Sequence, residues 1–146
     1  MRVIAQTAIL GYKVPFVGTA KLKVLELTPD RVRVVVFNRH RVRNHIKGVH
    51  AAAMALLAET ATGLAIAMHM PDDKVPLIKK LTIDFRARAT GSLAAVAQLS
   101  VDQIAAVIRE AKGEISVANV VTDESGKEPI LCEAIWAWIP KSRPST

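Results

Sequence analysis

The sequence feature that most constrains the fold is a long apolar segment, His50 to His69, with Glu59 as its only charged side chain. Its alanine, leucine and methionine residues are strongly helix-forming. Because the segment is apolar nearly all round, we expect a helix that the rest of the fold buries on most sides. Glu59, Thr60 and Thr62 interrupt the apolar run, so we predict a buried core helix and no membrane span.

Around this helix, alternating and β-branched patterns predict about six strands, mostly joined as hairpins. The predicted strands cover residues 19–28, 31–37, 77–90, 93–99, 114–122 and 130–139. In the third of these, Leu81, Ile83 and Phe85 are expected on one face of the strand, and polar residues such as Lys80 and Thr82 on the other. The fold class that follows is α+β, with an antiparallel sheet of about six strands wrapped around one long central helix.

Two short helices complete the prediction. The segment before residue 17 is ambiguous and is consistent with a helix that ends near Gly11 or Pro15. Ser100 with Gln103 resembles a capping box that begins a helix running to Lys112, which Gly113 would close.

A chain of 146 residues fits a single domain, residues 1–146, that can bury a hydrophobic core without needing disulfide bonds or a bound metal ion for stability. The single cysteine, Cys132, excludes an internal disulfide, and its strand-like surroundings indicate a buried hydrophobe. The N-terminus does not have the pattern of a signal peptide. We therefore expect a reducing, cytoplasmic location.

The net charge of +7 indicates an anionic partner or a basic surface. Nucleic acid, an anionic membrane and a phosphate-bearing ligand such as coenzyme A are all compatible with charge alone. The chain has only six aromatic residues on which bases could stack, and it contains no recognition-helix motif. We therefore do not expect nucleic-acid binding.

Glu59 is the first candidate for chemistry. A carboxylate on a mostly buried helix costs several kcal/mol, in order of magnitude, unless it is paired or neutralised. One interpretation is a general base or nucleophile with a raised pKa. The alternatives are an exposed stripe on the helix, or a structural pair with an arginine such as Arg39 or Arg86.

His50 stands at the start of the helix, where the first backbone N–H groups lack partners and could hold a thioester carbonyl as it gains negative charge. It could equally be a cap that braces the preceding loop together with Asn44. Glu59 lies nine residues later, roughly 13 Å along the axis and on the opposite side. If both ends act on one carbonyl, two chains must supply them, which predicts a dimer with two equivalent sites.

Other polar residues have more than one interpretation. Thr62 is on the face of Glu59 and could bond the carboxylate, a water or its own helix backbone. Arg86 and Arg88 either form a solvated face or contact the phosphates of coenzyme A.

The histidine spacing fits no metal site, and no Walker loop, nucleophile elbow or dinucleotide fingerprint is present. We therefore predict neither a metal ion nor a cofactor.

The stretch from Arg43 to Gly63 resembles the signature of hotdog-fold thioesterases. The phenylacetic-acid-degradation type has an asparagine, a glycine-containing loop, His-Gly-Gly, and an acidic residue nine positions after the histidine. Asn44, His50 and Glu59 keep that spacing. An uncharacterised acyl-CoA thioesterase-like branch, with His-Ala-Ala-Ala and a glutamate, is more similar still.

The resemblance implies a homodimer or a dimer of dimers, with acyl-CoA hydrolysed at sites on the dimer interface. It implies that Glu59 activates water or attacks the thioester, that the backbone at His50 and Ala51 polarises the carbonyl, and that Asn44 shapes the site. Ala51-Ala52 replaces the usual Gly-Gly, and Gly48 lies one residue later than the usual loop glycine. A binding protein for acyl-CoA or lipid without turnover is the alternative function.

Overall fold

A computed structural model describes residues 2–142, so Met1 and residues 143–146 of the predicted domain lie outside the described residues. The described residues form four α-helices, seven β-strands and one short 3₁₀ turn. In chain order these are α1 (Arg2–Lys13), α2 (Pro15–Ala20), β1 (Lys23–Leu27), β2 (Val32–Val36), the 3₁₀ turn (His40–Val42), α3 (Ala51–Ala67), β3 (Lys74–Phe85), β4 (Leu93–Gln98), α4 (Val101–Arg109), β5 (Gly113–Ser116), β6 (Ala118–Asp123) and β7 (Ile130–Pro140).

The strands form two antiparallel sheets. One has the order β1-β2-β4-β6 and the other β3-β7-β5. Helix α3 packs against strands of both sheets, and Leu57, Ala58, Ala61 and Ile66 are fully enclosed. The predicted α+β class, an antiparallel sheet around one long central helix, is confirmed. Among residues 2–142, no helix is long and apolar enough to cross a membrane.

The second sheet comes very close to α3 at Gly63. A Cβ atom built on Gly63 would lie 2.8 Å from Cη2 of Trp136 in β7, so the indole ring occupies the space that a side chain would need. The indole N–H of Trp136 donates to Thr62 Oγ1 at 2.9 Å. These contacts fix the middle of α3, one turn beyond Glu59, against the sheet.

The N-terminal segment is more helical than the sequence predicted. Helix α1 extends to Lys13, in agreement with the expected helix, but α2 was not predicted, and the strand expected from Thr19 begins only at Lys23. Lys21 has a left-handed backbone conformation, with φ of 57°, and it ends α2. Pro15 is at the start of α2, where proline is favoured.

The strand predicted over residues 77–90 is displaced. It begins at Lys74 and ends at Phe85, and it contains a bulge between Ile78 and Lys80. Leu81 and Ile83 pack against the core, whereas Phe85, predicted on the same face, is the last residue of β3 and is 55% exposed. The strand ends because the N–H groups of Arg86 and Ala87 both donate to Pro129 O, outside the ladder.

The strand predicted over residues 114–122 is divided between the two sheets. Its first part, β5, pairs with β7, whereas β6 pairs with β4. Gly113 does not close α4 but opens β5, and a Cβ atom there would lie 2.4 Å from Cζ2 of Trp138. The predicted capping box is confirmed, since Ser100 and Gln103 exchange both hydrogen bonds.

A buried lysine stabilises the other end of α4. The Nζ atom of Lys74 donates to Val107 O and Ile108 O, each at 2.9 Å, and the residue is 7% exposed. A cation at the C-terminus of a helix is favourable because the last carbonyl groups carry partial negative charge. Lys74 thereby joins the start of β3 to α4.

Candidate active site

Glu59 lies on the least covered side of α3. Ala51, Ala55, Glu59 and Gly63 follow one another at four-residue intervals, and none of them is fully buried. Among the described residues, the Glu59 carboxylate accepts no hydrogen bond and forms no ion pair, so the pairs with Arg39 or Arg86 are not observed. Desolvation by burial raises the pKa of this carboxyl group above its ordinary value. The site therefore has a half-buried base that no other side chain of the described chain neutralises.

His50 caps the N-terminus of α3. Its Nδ1 atom accepts a hydrogen bond from the backbone N–H of Ala52 at 2.9 Å, and the N–H groups of Ala53 and Met54 bond to His50 O. Within residues 2–142, the Ala51 N–H is the amide of this first turn without a protein partner. The helix therefore presents one free N–H at an exposed position, together with the partial positive charge of its N-terminus.

The loop before α3 is organised by Asn44. Its Oδ1 atom accepts from the N–H groups of Ile46 and Gly48, both at 3.0 Å, and its own N–H donates to Gly48 O. Lys47 has φ of 64° at the tip of this turn. Asn44 and Gly48 thus set the path by which the chain enters α3, and Asn44 Oδ1 is fully engaged in doing so.

The two arginines differ in position. Arg88 reaches the same loop, where its Nη2 atom donates to Ile46 O at 3.2 Å. Arg86 is exposed just beyond the end of β3. Asn44, Gly48, His50, Ala51 and Arg88 are therefore brought together around the N-terminus of α3.

Thr62 is not part of that cluster. Its side chain is fully buried, and its hydroxyl donates to Ala58 O at 2.8 Å and accepts from Trp136. Of the interpretations open from the sequence, the structure contains the bond to the helix backbone. The hydroxyl hydrogen is thus unavailable to the Glu59 carboxylate, and the expected role of Thr62 in substrate binding has no support from this geometry.

A cavity of about 280 Å³ lies beside the N-terminal turn of α3. Its lining includes His50, Ala52 and Leu56 at the start of α3, together with Phe16 of α2 and Arg41. The sequence analysis missed α2 and therefore missed Phe16. Pro15 was the available signal, because proline is enriched at the first position of a helix.

The geometry separates the acid from the free amide. Glu59 is eight residues after Ala51 in α3, which corresponds to a rise of about 12 Å. A single thioester carbonyl cannot be reached by both groups of one helix. Within residues 2–142, no three His, Cys, Asp or Glu side chains are grouped so as to hold a metal ion.

Comparisons with known proteins agree with the fold described above. Residues 4–139 match the family described as "Domain of unknown function (DUF4442)". No curated protein matches the chain. Among solved structures, a Pseudomonas aeruginosa protein of unknown function described as a probable thioesterase is 25% identical, with a TM-score of 0.82, and the match covers 92% of this chain and 93% of that one.

Two more distant structures share the fold. A thioesterase from Haemophilus influenzae is 12% identical with a TM-score of 0.76, and the match covers 99% of this chain and 94% of that one. A Bacillus halodurans protein, in a structure with CoA, is 20% identical with a TM-score of 0.72, covering 97% and 91% of the two chains. The whole described architecture is thus found in thioesterase structures.

Proposed function

Because this chain belongs to the DUF4442 family and has the hotdog fold of the thioesterase superfamily, we propose that it hydrolyses acyl-CoA thioesters at a site shared by two chains. The observation that carries the proposal is the unpaired, half-buried Glu59 carboxylate in α3. A carboxyl group whose pKa is raised by burial is suited to accept a proton near neutral pH. CoA itself is present in one of the related structures.

In the proposed reaction, Glu59 removes a proton from a water molecule as the water oxygen attacks the thioester carbonyl carbon. The carbonyl oxygen becomes an oxyanion, and the Ala51 N–H of the other chain donates to it. When the oxyanion collapses, the C–S bond breaks and the proton held by Glu59 passes to the departing sulfur. The products are a carboxylic acid and free CoA.

Direct attack by Glu59 is the alternative route. The carboxylate would then form an anhydride with the acyl group, and water would hydrolyse the anhydride in a second step. A single turnover in ¹⁸O-labelled water tests for the anhydride route. Label in the protein shows attack of water on the Glu59 carbon of an anhydride, whereas label in the released acid alone fits attack of water on the thioester or on the acyl carbon of the anhydride.

Two chains are required because of the separation along α3. Strand β3 is the edge of its sheet in the described residues, and Leu77 and Ile78 are exposed along it. A long edge strand with exposed apolar side chains invites pairing with another chain. We propose a homodimer in which α3 helices of opposite direction place Glu59 of one chain near Ala51 of the other, with Arg86 and Arg88 available to the CoA phosphates.

One observation favours a protein that binds acyl-CoA without hydrolysing it. His50 Nδ1 occupies the Ala52 N–H, so one amide of the first turn remains for the oxyanion. Loss of a single oxyanion donor costs enzymes about 10²–10³ in rate. Non-catalytic binding is therefore the second candidate function.

The experiment that separates these candidates is thiol release from acyl-CoAs of increasing chain length, with phenylacetyl-CoA and benzoyl-CoA included. Wild type is compared with Glu59→Gln and with Glu128→Gln, an exposed glutamate that serves as a matched control. We expect release by wild type and Glu128→Gln and loss of release in Glu59→Gln. Binding of acyl-CoA without release by any of them would favour the second function.

A further inference from the structure

A second cavity with a mainly apolar lining lies outside the Glu59 site. It has a volume of about 530 Å³ and is enclosed by α1, α2, the start of β1 and the segment after β2. Ile4, Leu22 and Phe37 contribute to its apolar lining. The volume is within the range of about 300–1,000 Å³ that is typical of small-molecule sites.

Two glycines, Gly11 and Gly18, contribute to the lining of this cavity. Helices α1 and α2 cross at Gly11 and Gly18, and a Cβ atom on Gly18 would lie 2.9 Å from Gly11 O. The side-chain hydroxyl of Thr7 accepts the N–H of Val24 at 3.0 Å and ties α1 to β1. The helices are therefore held against the sheet by specific contacts, and the cavity between them is a built feature of the fold.

Four cations surround the opening, namely Lys21, Lys23, Arg39 and Arg41. Within residues 2–142 none of them forms an ion pair, and no acidic side chain lines the cavity. The first acidic residue in the sequence is Glu26. An apolar interior with an unneutralised basic rim is complementary to a ligand that has an apolar body and an anionic end.

We propose that this cavity binds a fatty carboxylate, with the hydrocarbon chain inside and the carboxylate at Lys21 and Lys23. The nucleotide portion of CoA fits this cavity less well than a fatty carboxylate does, because its polar atoms would lie against the apolar side chains of Ile4, Leu22 and Phe37. The cavity is lined by α1, α2, β1 and the segment after β2, whereas Glu59 lies on α3. Ligand binding in the cavity therefore does not depend on hydrolysis at Glu59. The cavity shares only Arg41 with the smaller cavity beside α3.

The test is isothermal titration with laurate below its micelle concentration, on wild type and on Glu59→Gln. Lys21→Gln/Lys23→Gln removes the two rim charges, and Lys112→Gln/Lys127→Gln is the charge-matched control away from the cavity. Ala8→Trp places an indole in the cavity from an exposed position of α1. We expect laurate to bind about tenfold more weakly to Lys21→Gln/Lys23→Gln and to Ala8→Trp, and unchanged to the control and to Glu59→Gln.

Dodecanol and CoA complete the comparison. The proposal requires dodecanol binding that is weaker than laurate binding and insensitive to Lys21→Gln/Lys23→Gln, and no dependence of CoA binding on these lysines. It is overturned if laurate binds all variants equally. It is also overturned if CoA binding depends on Lys21 and Lys23, since the cavity would then be the coenzyme end of the active site.

Discussion

The Nδ1 atom of His50 lies 2.9 Å from the backbone nitrogen of Ala52 and accepts its hydrogen. This bond fixes the proton of a neutral His50 imidazole on Nε2 and satisfies one orphan amide of α3. It assigns His50 a positioning role, with the Ala51 N–H left as the group that can contact a substrate. Substitutions of His50 and of Ala51 separate these roles.

Replacement of His50 tests the cap. Asparagine can accept the same N–H, so His50→Asn should keep both stability and turnover, whereas His50→Ala should lose about 1 kcal/mol of unfolding free energy. Urea denaturation and thiol release on the same preparations measure the two properties. A His50→Asn variant that folds normally but has lost turnover would show that the imidazole takes part in the chemistry.

Ala51→Pro tests the free amide. Proline removes the N–H at the first helical position, where its ring is tolerated, and His50 already has the extended conformation, φ −62° and ψ 144°, that a following proline requires. We expect kcat to fall by about 10²–10³ with little change in melting temperature. Ala67→Ser, at the exposed C-terminal end of α3, is the control, and an unchanged kcat in Ala51→Pro would exclude this amide as the oxyanion donor.

Glu59 should make the native protein less stable at neutral pH. Its pKa is raised in the folded state by burial, so its contribution to stability is present below its ordinary value of 4.5 and is lost as pH rises through the folded value. Glu59→Gln should therefore melt at a higher temperature than wild type at pH 7–8, and the difference should vanish towards pH 4. Glu128→Gln should show no such pattern. The same ionisation predicts that thioester hydrolysis increases as pH rises through the folded pKa.

Cys132 should be unreactive in the native protein. Burial, with a smaller contribution from Glu133, raises the pKa of its thiol to about 11, so the thiolate is scarce at pH 8. Iodoacetamide should label native protein much more slowly than protein unfolded in urea, as followed by mass spectrometry. Equal labelling rates in both states would show that burial does not protect the Cys132 thiol in the folded protein.

The sequence was sufficient where the signal is local. The apolar run of α3 and the Ser100–Gln103 capping box each depend on residues within a few positions, and both were predicted. The division of residues 114–122 between two sheets could not be predicted, because it depends on which distant strand each half pairs with.

The same limit applies to the site. The spacing of Asn44, His50 and Glu59 was visible in the sequence, but the engagement of Thr62 by Trp136 depends on two residues 74 positions apart. The cavity of about 530 Å³ between α1, α2 and β1 was missed because it forms only when α1 and α2 fold onto the sheet. The burial of a polar group and the identity of its hydrogen-bond partners depend on tertiary contacts, which the hydrophobic periodicity of the sequence does not encode.

The most direct test of the shared site is activity in mixed dimers of Ala51→Pro and Glu59→Gln chains. Each homodimer lacks one required group at both sites, whereas a mixed dimer has one site with an intact Ala51 amide and an intact Glu59. If the two chains assemble at random, half of the dimers are mixed, and thiol release should recover to about a quarter of the wild-type rate. Two inactive variants that stay inactive after unfolding, mixing and refolding, with mixed dimers verified by mass spectrometry, would contradict the shared site.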